Sequence, residues 1–221
     1  MTGAPEFDLV ALVADADQRE VLHRLLAERS GDLGIRRIRF DIRVHTRRDP
    51  GVRGEAVDVL RPFIRSARFS LVVFDHHGSG REDTVPADLE RDLEDRLERN
   101  GWKARTAVLV LAPELEVWAF GDDACLGRAV RWKAGLEPRG WLTSAGLWDE
   151  AHAKPVDPKA CLKKMLTVTG RRLSPVLYGE LAAGMAFPFC TDRAFVRLRE
   201  RLRAWFPADG SQGKAPDGGR P

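Results

Sequence analysis

Short apolar runs alternate with amphipathic stretches along the first half of the chain. The apolar runs are rich in β-branched residues and predict four strands, at residues 7–13, 35–45, 69–74 and 107–111. The stretches between them place apolar residues on one helical face and predict helices at residues 18–29, 55–67 and 86–101. This alternation is typical of parallel strands joined by right-handed helical crossovers. The most apolar run, residues 69–74, is expected at the centre of the sheet.

Polar segments and a helical second half complete the pattern. Residues 46–54, with two glycines and a proline, and residues 75–85 are predicted loops. A helix is expected to start within residues 112–118, and further helices are predicted at residues 122–133, 157–168, 175–185 and 192–206. We therefore expect an α/β domain over residues 6–120, a helical extension over residues 121–206 and a disordered tail over residues 207–221.

The composition excludes several classes of protein. The chain has 221 residues, of which 43% are hydrophobic and 31% charged, so collagen-like and wholly disordered proteins are excluded. A net charge of +3 is too balanced for a protein that coats nucleic acid. Arginine provides 29 of the 36 basic residues, which suits phosphate recognition but is equally typical of a GC-rich genome. Basic residues at 154–164 and 193–203 could follow a nucleic-acid backbone or form a solvated helix face.

Cysteine usage and hydropathy bear on the compartment. The three cysteines are far apart and form no CxxC pair, which argues against a disulfide framework or a cysteine-only zinc site. No segment reaches the roughly 20 apolar residues of a membrane helix. We therefore expect a cytoplasmic protein that has no membrane partner.

Polar side chains follow each of the four predicted strands, at the edge where ligands bind parallel sheets. Clustered carboxylates need a cation between them, and their oxygens suit Mg²⁺ or Mn²⁺, which can activate water for phosphodiester cleavage. The predicted metal ligands are Asp15, Asp75, Glu114, Glu116 and His77. The predicted catalytic residues are the same four acids and His45, with His45 or His77 as the group for proton transfer.

Each of these residues also has a structural interpretation. Asp15 and Asp17 are suited to cap the helix that follows the first strand. Glu114 and Glu116 occupy the first turn of a predicted helix, where the helix dipole favours acids, and Asp75 suits a turn. The sequence alone does not decide between capping and metal binding.

Several segments resemble a known family. VADADQREVLHRLL and LVVFDHHGSG are similar to the first two acidic motifs of TOPRIM-type folds, and APELEVWAFGD resembles a Pro-Glu-Leu-Glu-x-Trp motif of TOPRIM-like proteins related to overcoming-lysogenisation-defect nucleases. Together with FDIRVHTRRDPG, KPVDPK, SPVLYGELA and FVRLRERLRAWFP, they resemble the small TOPRIM-like proteins of bacterial methylation-associated anti-phage defence systems. The resemblance extends from about residue 8 to residue 207.

The resemblance implies a TOPRIM-like parallel-sheet fold and membership of a multi-gene defence system. Its partners would be a DNA methyltransferase and ATPase- or nuclease-type components, with DNA as a candidate substrate. Three positions depart from the TOPRIM pattern: Ala14 stands for the glutamate, Gln18 for the next aspartate and His77 for the second aspartate of the second motif. The resemblance thus implies either a Mg²⁺- or Mn²⁺-dependent nuclease or a catalytically inactive scaffold or regulatory subunit. A nucleotide-binding regulator has no glycine fingerprint to support it.

Overall fold

Four parallel strands form a single sheet. The computed structural model describes residues 4–133, 135–149, 151–187 and 190–208. The strands are β1 (Phe7–Val13), β2 (Phe40–Val44), β3 (Ala67–Asp75) and β4 (Thr106–Leu111), in the order β2-β1-β3-β4. All three pairings are parallel, which confirms the predicted α/β class and is compatible with a Rossmann-like fold. The apolar run at residues 69–74 lies inside the sheet, as predicted.

Nine helices are found among the described residues. They are α1 (Ala16–Glu28), α2 (Ser30–Leu33), α3 (Arg48–Leu60), α4 (Pro86–Leu97), α5 (Asp123–Val130), α6 (Pro138–Ser144), α7 (Pro158–Thr169), α8 (Pro175–Gly184) and α9 (Arg193–Trp205). The described residues also contain 3-10 helices at Arg61–Phe63 and Leu115–Gly121 and a π-helical turn at Glu98–Trp102. No described helix has the length and apolar character needed to cross a bilayer.

Helices cover both faces of the sheet. Successive strand residues point to opposite faces, so Leu9 and Ala11 lie in one hydrophobic core, while Val10 and Leu12 lie in the other. The first core also contains buried residues of α1, α8 and α9, and the second contains those of α3 and α4. The helices that follow β4 therefore share a core with the strands.

Three local differences from the sequence prediction have identifiable causes. The predicted loop at 46–54 is largely helical, because α3 begins at Arg48 and Pro50 lies in its first turn, where a missing N–H costs little. Residues 35–39 precede β2, and Ile35 instead forms an antiparallel bridge with Pro207. The predicted helix start at 112–118 is realised as the 3-10 helix. The part of the predicted tail at 209–221 lies outside the described residues.

Side chains cover the outer edge of β4. Glu94 and Glu90 of α4 accept hydrogen bonds from the backbone N–H groups of Val108 (2.8 Å) and Val110 (2.9 Å). Arg193 of α9 donates to the Val110 carbonyl at 3.1 Å. Its two Nη atoms also donate to the two oxygens of the Glu90 carboxylate, at 2.7 and 2.9 Å. These contacts occupy backbone groups that an open edge strand would present to another chain.

Candidate metal centre

Three buried carboxylates meet at the carboxyl edge of the sheet. Asp75 is the last residue of β3, and Glu114 and Glu116 follow β4. Each offers one oxygen, and the three oxygens lie within 4.8 Å of one another. Asp75 and Glu114 are 7% and 5% exposed, and Glu116 is 2% exposed, so the cluster is largely withdrawn from water. The predicted convergence of acids from neighbouring strands is therefore observed for these three residues.

Hydrogen bonds to Asp75 fix the geometry of the cluster. One carboxylate oxygen accepts from the backbone N–H of Leu115 at 3.1 Å, which ties β3 to the start of the 3-10 helix. The same oxygen accepts from the Gln18 amide at 2.9 Å, and the Gln18 carbonyl oxygen accepts from the Ala14 N–H at 2.9 Å. A neutral amide therefore links the end of β1 to the carboxylate at the end of β3.

A lysine and a tyrosine from the second half of the chain complete the cluster. Lys159, in the first turn of α7, places its ammonium 3.0 Å from Glu114 Oε2 and 3.3 Å from Glu116 Oε1. The hydroxyl of Tyr178, on α8, donates to Glu116 Oε1 at 2.5 Å. The other oxygen, Glu116 Oε2, is buried without a hydrogen-bond partner in the described part of the chain. Burial of an unpaired carboxylate oxygen is costly, so this atom is a ready ligand for a cation.

Additional acids surround the three carboxylates. Asp15 caps α1 by accepting from the N–H groups of Asp17 (3.0 Å) and Gln18 (2.9 Å), so its predicted capping role is confirmed. Asp15 is not among the three carboxylates that lie close enough to share one ion, but its negative charge helps to raise the pKa of Asp75. Asp49, in the first turn of α3, accepts from the backbone N–H of Asp75 at 2.7 Å.

The pKa values of these groups reflect burial and crowding of charge. Burial, reinforced by the charges of Asp49, Glu116 and Asp15, raises the pKa of Asp75 well above its usual range. Burial and the neighbouring Asp15 and Glu116 raise the pKa of Asp17 to about 6. Because crowded negative charge makes these carboxylates hard to ionise, a cation added at this site would be stabilised by the same negative charge.

The pKa values of the two partner groups respond to the same charges. Burial lowers the pKa of Lys159, but Glu116 and Glu114 outweigh it and raise this pKa above its ordinary value. Burial and the nearby Glu116 raise the pKa of the Tyr178 hydroxyl. Lys159 is therefore a permanent cation at the cluster, and Tyr178 remains a hydrogen-bond donor.

The two predicted histidines occupy different environments. His77 lies at the outer side of the cluster, with Nδ1 3.9 Å from Glu114 Oε2, and its side chain is 73% exposed. His45 is buried and turned towards α3, where Nδ1 accepts from the Arg47 N–H at 3.0 Å and Nε2 lies 3.0 Å from Glu55 Oε2. Burial and the charge of Arg47 lower the pKa of His45. The structure therefore brings His77, but not His45, to the acids.

The position of the His45 ring depends on the absence of a side chain at Gly51. A Cβ atom at Gly51 would lie 2.2 Å from His45 Nδ1 and 2.8 Å from Arg47 Cβ. We expect Gly51→Ala to lower the free energy of unfolding by about 1–3 kcal/mol, because the ring must be displaced from a packed site. Gly54→Ala, on the same helix and with nothing within 4 Å of its added Cβ, is the matched control. Urea titrations should show a loss for Gly51→Ala and no loss for Gly54→Ala; equal stabilities would contradict this packing.

The residues that complete the site carry little signal in the sequence. Gln18 stands out there only as a departure from the TOPRIM pattern, and Lys159 only as part of a basic stretch. Tyr178 is the single tyrosine of the chain, which is the one available signal for it. The pattern of α9 favours a solvated face for Arg193 and Arg197, but the structure pairs them with the acids of α4. These two arginines therefore bind the acids of α4 while their side chains stay 46% and 28% exposed, so they are only partly solvated.

The donor set fits a hard divalent cation. Ligands of one Mg²⁺ at about 2.1 Å from the ion lie roughly 3–4 Å apart, and the three oxygens lie within 4.8 Å of one another, so a small movement of the side chains would bring them around one ion. The charges of Asp75, Glu114, Glu116 and Lys159 leave an excess of negative charge at the ionised cluster, and Glu116 Oε2 has no other partner among the described residues. Carboxylate oxygens without thiolates favour Mg²⁺ or Mn²⁺ over zinc.

Comparisons with known proteins add no family assignment. No family model, curated protein or solved structure gives a significant match to this chain.

Proposed function

We propose that this protein is a TOPRIM-like, divalent-metal-binding subunit of a cytoplasmic anti-phage defence system, able to cleave phosphodiester bonds in DNA or RNA. The observation that carries the proposal is the buried triad Asp75, Glu114 and Glu116, with ligand oxygens within 4.8 Å. The helices that follow β4 would be the helical extension of this TOPRIM-like domain. Its partners would be the methyltransferase and the ATPase- or nuclease-type proteins of the same system.

The residues at the TOPRIM-like motif positions lie close together, which supports this proposal. Ala14, Gln18 and Asp75, which stand at the acidic positions of the TOPRIM motifs, are joined by the two hydrogen bonds of the Gln18 amide. Both glutamates of the Pro-Glu-Leu-Glu motif contribute to the triad. The motifs are therefore close in space at the edge where parallel sheets bind ligands.

In this mechanism Asp75, Glu114 and Glu116 would hold Mg²⁺ or Mn²⁺. When bound, the ion would neutralise negative charge on the phosphate and lower the pKa of a water molecule bound to it. Tyr178 fixes the orientation of Glu116 through its hydrogen bond, and Lys159 holds Glu114 and Glu116 together. His77, exposed beside Glu114, is placed to accept a proton at Nδ1 or Nε2.

A second candidate is a catalytically inactive scaffold or regulatory subunit. It is favoured by Lys159, whose ammonium already contacts two of the three carboxylates. It is also favoured by the neutral Gln18 amide, which contacts Asp75 where the TOPRIM pattern has an acid. In this case the internal ammonium would stabilise the cluster in place of a metal, and the protein would act by holding its partners.

Isothermal titration of Mn²⁺ separates the two candidates. We expect wild-type protein to bind one Mn²⁺ with micromolar affinity, and Asp75→Asn and Glu116→Gln to lose at least tenfold in affinity, because each removes a ligand charge. Glu200→Gln is the matched control, since Glu200 is exposed and its side chain makes no hydrogen bond or ion pair with the described residues. Mg²⁺ should compete with Mn²⁺ for the same site.

The outcomes have distinct consequences. Absence of Mn²⁺ binding by folded wild-type protein would overturn the metal-dependent nuclease and favour the scaffold. Binding that Asp75→Asn leaves intact would place the metal elsewhere. Where the triad binds Mn²⁺, cleavage of methylated and unmethylated DNA is measured next, with Asp75→Asn as the inactive reference.

A further inference from the structure

A basic cleft lies at the amino edge of the sheet, opposite the carboxylates. Its volume is about 570 Å³, and its walls include Arg65, Arg68 and Arg105 beside Phe69. Ala4 and Pro5, which precede β1, also line this open cleft. The nine residues of β3 separate this cleft from Asp75, a distance of about 26 Å. The cleft is therefore independent of the candidate metal centre.

Arg105 is a rigid cation in this cleft. One Nη atom donates to the carbonyl of Ala67 at 2.9 Å, and the other donates to the carbonyls of Ile64 at 2.9 Å and Gly101 at 2.8 Å. These partners are neutral, and Arg105 forms no ion pair within the described ranges. Its position is therefore fixed while its positive charge remains uncompensated.

Arg65 and Arg68 have free hydrogen-bonding capacity. Arg65 is exposed, and its side chain makes no hydrogen bond or ion pair with any residue that the structure describes. The Arg68 side chain is 51% exposed, and its nearest carboxylate oxygen, Asp8 Oδ1, is 3.9 Å away. That oxygen already accepts from Arg36 at 2.9 Å. Two guanidinium forks thus stand beside Arg105 without a strong partner.

The positive charge continues beyond the cleft. Arg36 and Arg39 both approach Asp8, a single buried carboxylate. Phe69, partly buried at the floor of the cleft, stacks on Trp205 with ring centroids 4.7 Å apart. Five arginines lie along this edge together with three carboxylates, those of Asp8, the exposed Glu6, and Glu98, which accepts from the Ala104 N–H, so the edge keeps a net positive charge.

We infer that the basic cleft binds the phosphate groups of a nucleic-acid backbone. Guanidinium forks bind phosphate oxygens in bidentate geometry, and several adjacent forks suit a chain of phosphates better than one free anion. The inference does not require a metal at the other edge of the sheet.

Fluorescence anisotropy with a 5′-fluorescein-labelled, 20-nucleotide single-stranded DNA tests the inference, in EDTA so that the metal centre plays no part. We expect Arg65→Gln/Arg68→Gln to bind at least tenfold more weakly than wild type. The slope of log affinity against log salt should fall in magnitude by about 1.4, since two phosphate contacts are lost. Arg65→Gln alone, at an exposed position, should show about half of this change in slope.

A matched double variant controls for net charge. Lys164→Gln/Arg172→Gln removes two exposed basic side chains that have no partner in the described part of the chain and lie on or just after α7. It should bind DNA within twofold of wild type. An equal loss in this control, or no salt-dependent DNA binding by wild type, would overturn the inference.

Competition experiments distinguish a nucleic-acid ligand from other negatively charged ligands of the cleft. Unlabelled DNA should displace the labelled strand, and millimolar pyrophosphate should compete only weakly. Full displacement by micromolar pyrophosphate would assign the cleft to a small phosphate ligand, and displacement by poly-glutamate as effective as by DNA would assign it to an acidic protein; both results would overturn the nucleic-acid inference. Because DNA binding is measured in EDTA, failure of the metal centre does not affect this test.

Discussion

Replacing Arg193 by alanine should lower the free energy of unfolding by about 2–4 kcal/mol. Glu90 is 2% exposed, and in the variant it keeps only the N–H of Val110 and the more distant Arg197 Nε, at 3.6 Å. Removing one partner of a buried ion pair usually costs about 3–5 kcal/mol, because the other charge stays desolvated. We expect a loss of about 2–4 kcal/mol, below this usual range, because the Arg193 side chain is 46% exposed and water can partly take its place beside Glu90.

Urea and thermal unfolding followed by circular dichroism measure this loss, which corresponds to about 5–10 °C in midpoint for a chain of this size. Arg201→Ala, an exposed position on the same helix whose side chain has no partner among the described residues, should leave the midpoint unchanged. The double variant Glu90→Gln/Arg193→Ala should lose less than the sum of the single variants, because the buried charge is gone. Additive losses would show that the pair does not hold α9 to the edge of the sheet.

Replacing Lys159 by methionine should strengthen Mn²⁺ binding at least tenfold. The ammonium lies 3.0 Å from Glu114 and 3.3 Å from Glu116, so a divalent cation bound by the same carboxylates would stand close to it. Even at the dielectric constant of water, charges of +1 and +2 at 4 Å repel by about 2 kcal/mol, and about 1.4 kcal/mol corresponds to a factor of ten. Methionine retains much of the apolar length of lysine without the charge.

Isothermal titration measures this change, with Lys163→Met, an exposed position on the same helix, as the control. Lys163→Met should bind Mn²⁺ as wild type does. If Lys159→Met binds no Mn²⁺ and unfolds at lower urea concentration, the lysine is the structural cation of an inactive scaffold. An affinity equal to that of wild type in a folded variant would show that the ammonium and the metal do not compete.

Local patterns in the sequence determined the strands and the polar edge. Alternating apolar runs and amphipathic stretches report which residues are buried, so β1, β3, β4 and their parallel arrangement were predictable. Because parallel strands end at one edge, the order of strands and acids along the chain is enough to place Asp75, Glu114 and Glu116 near one another. The prediction of a loop at residues 46–54 is wrong, because glycines and a proline indicate a loop as readily as they indicate the start of a helix such as α3.

The partners of these acids were decided by the tertiary structure. Lys159 contacts Glu114 across 45 residues of sequence, Tyr178 contacts Glu116 across 62, and Arg193 contacts Glu90 across 103. Such pairs depend on how α7, α8 and α9 pack on the sheet, and periodicity carries no information about which helices become neighbours. The sequence alone determined a parallel α/β fold with acids at one edge. Only the packing of the second half decided that an ammonium and a phenol lie among those acids, and only the fold of α3 turned His45 away from them to Glu55.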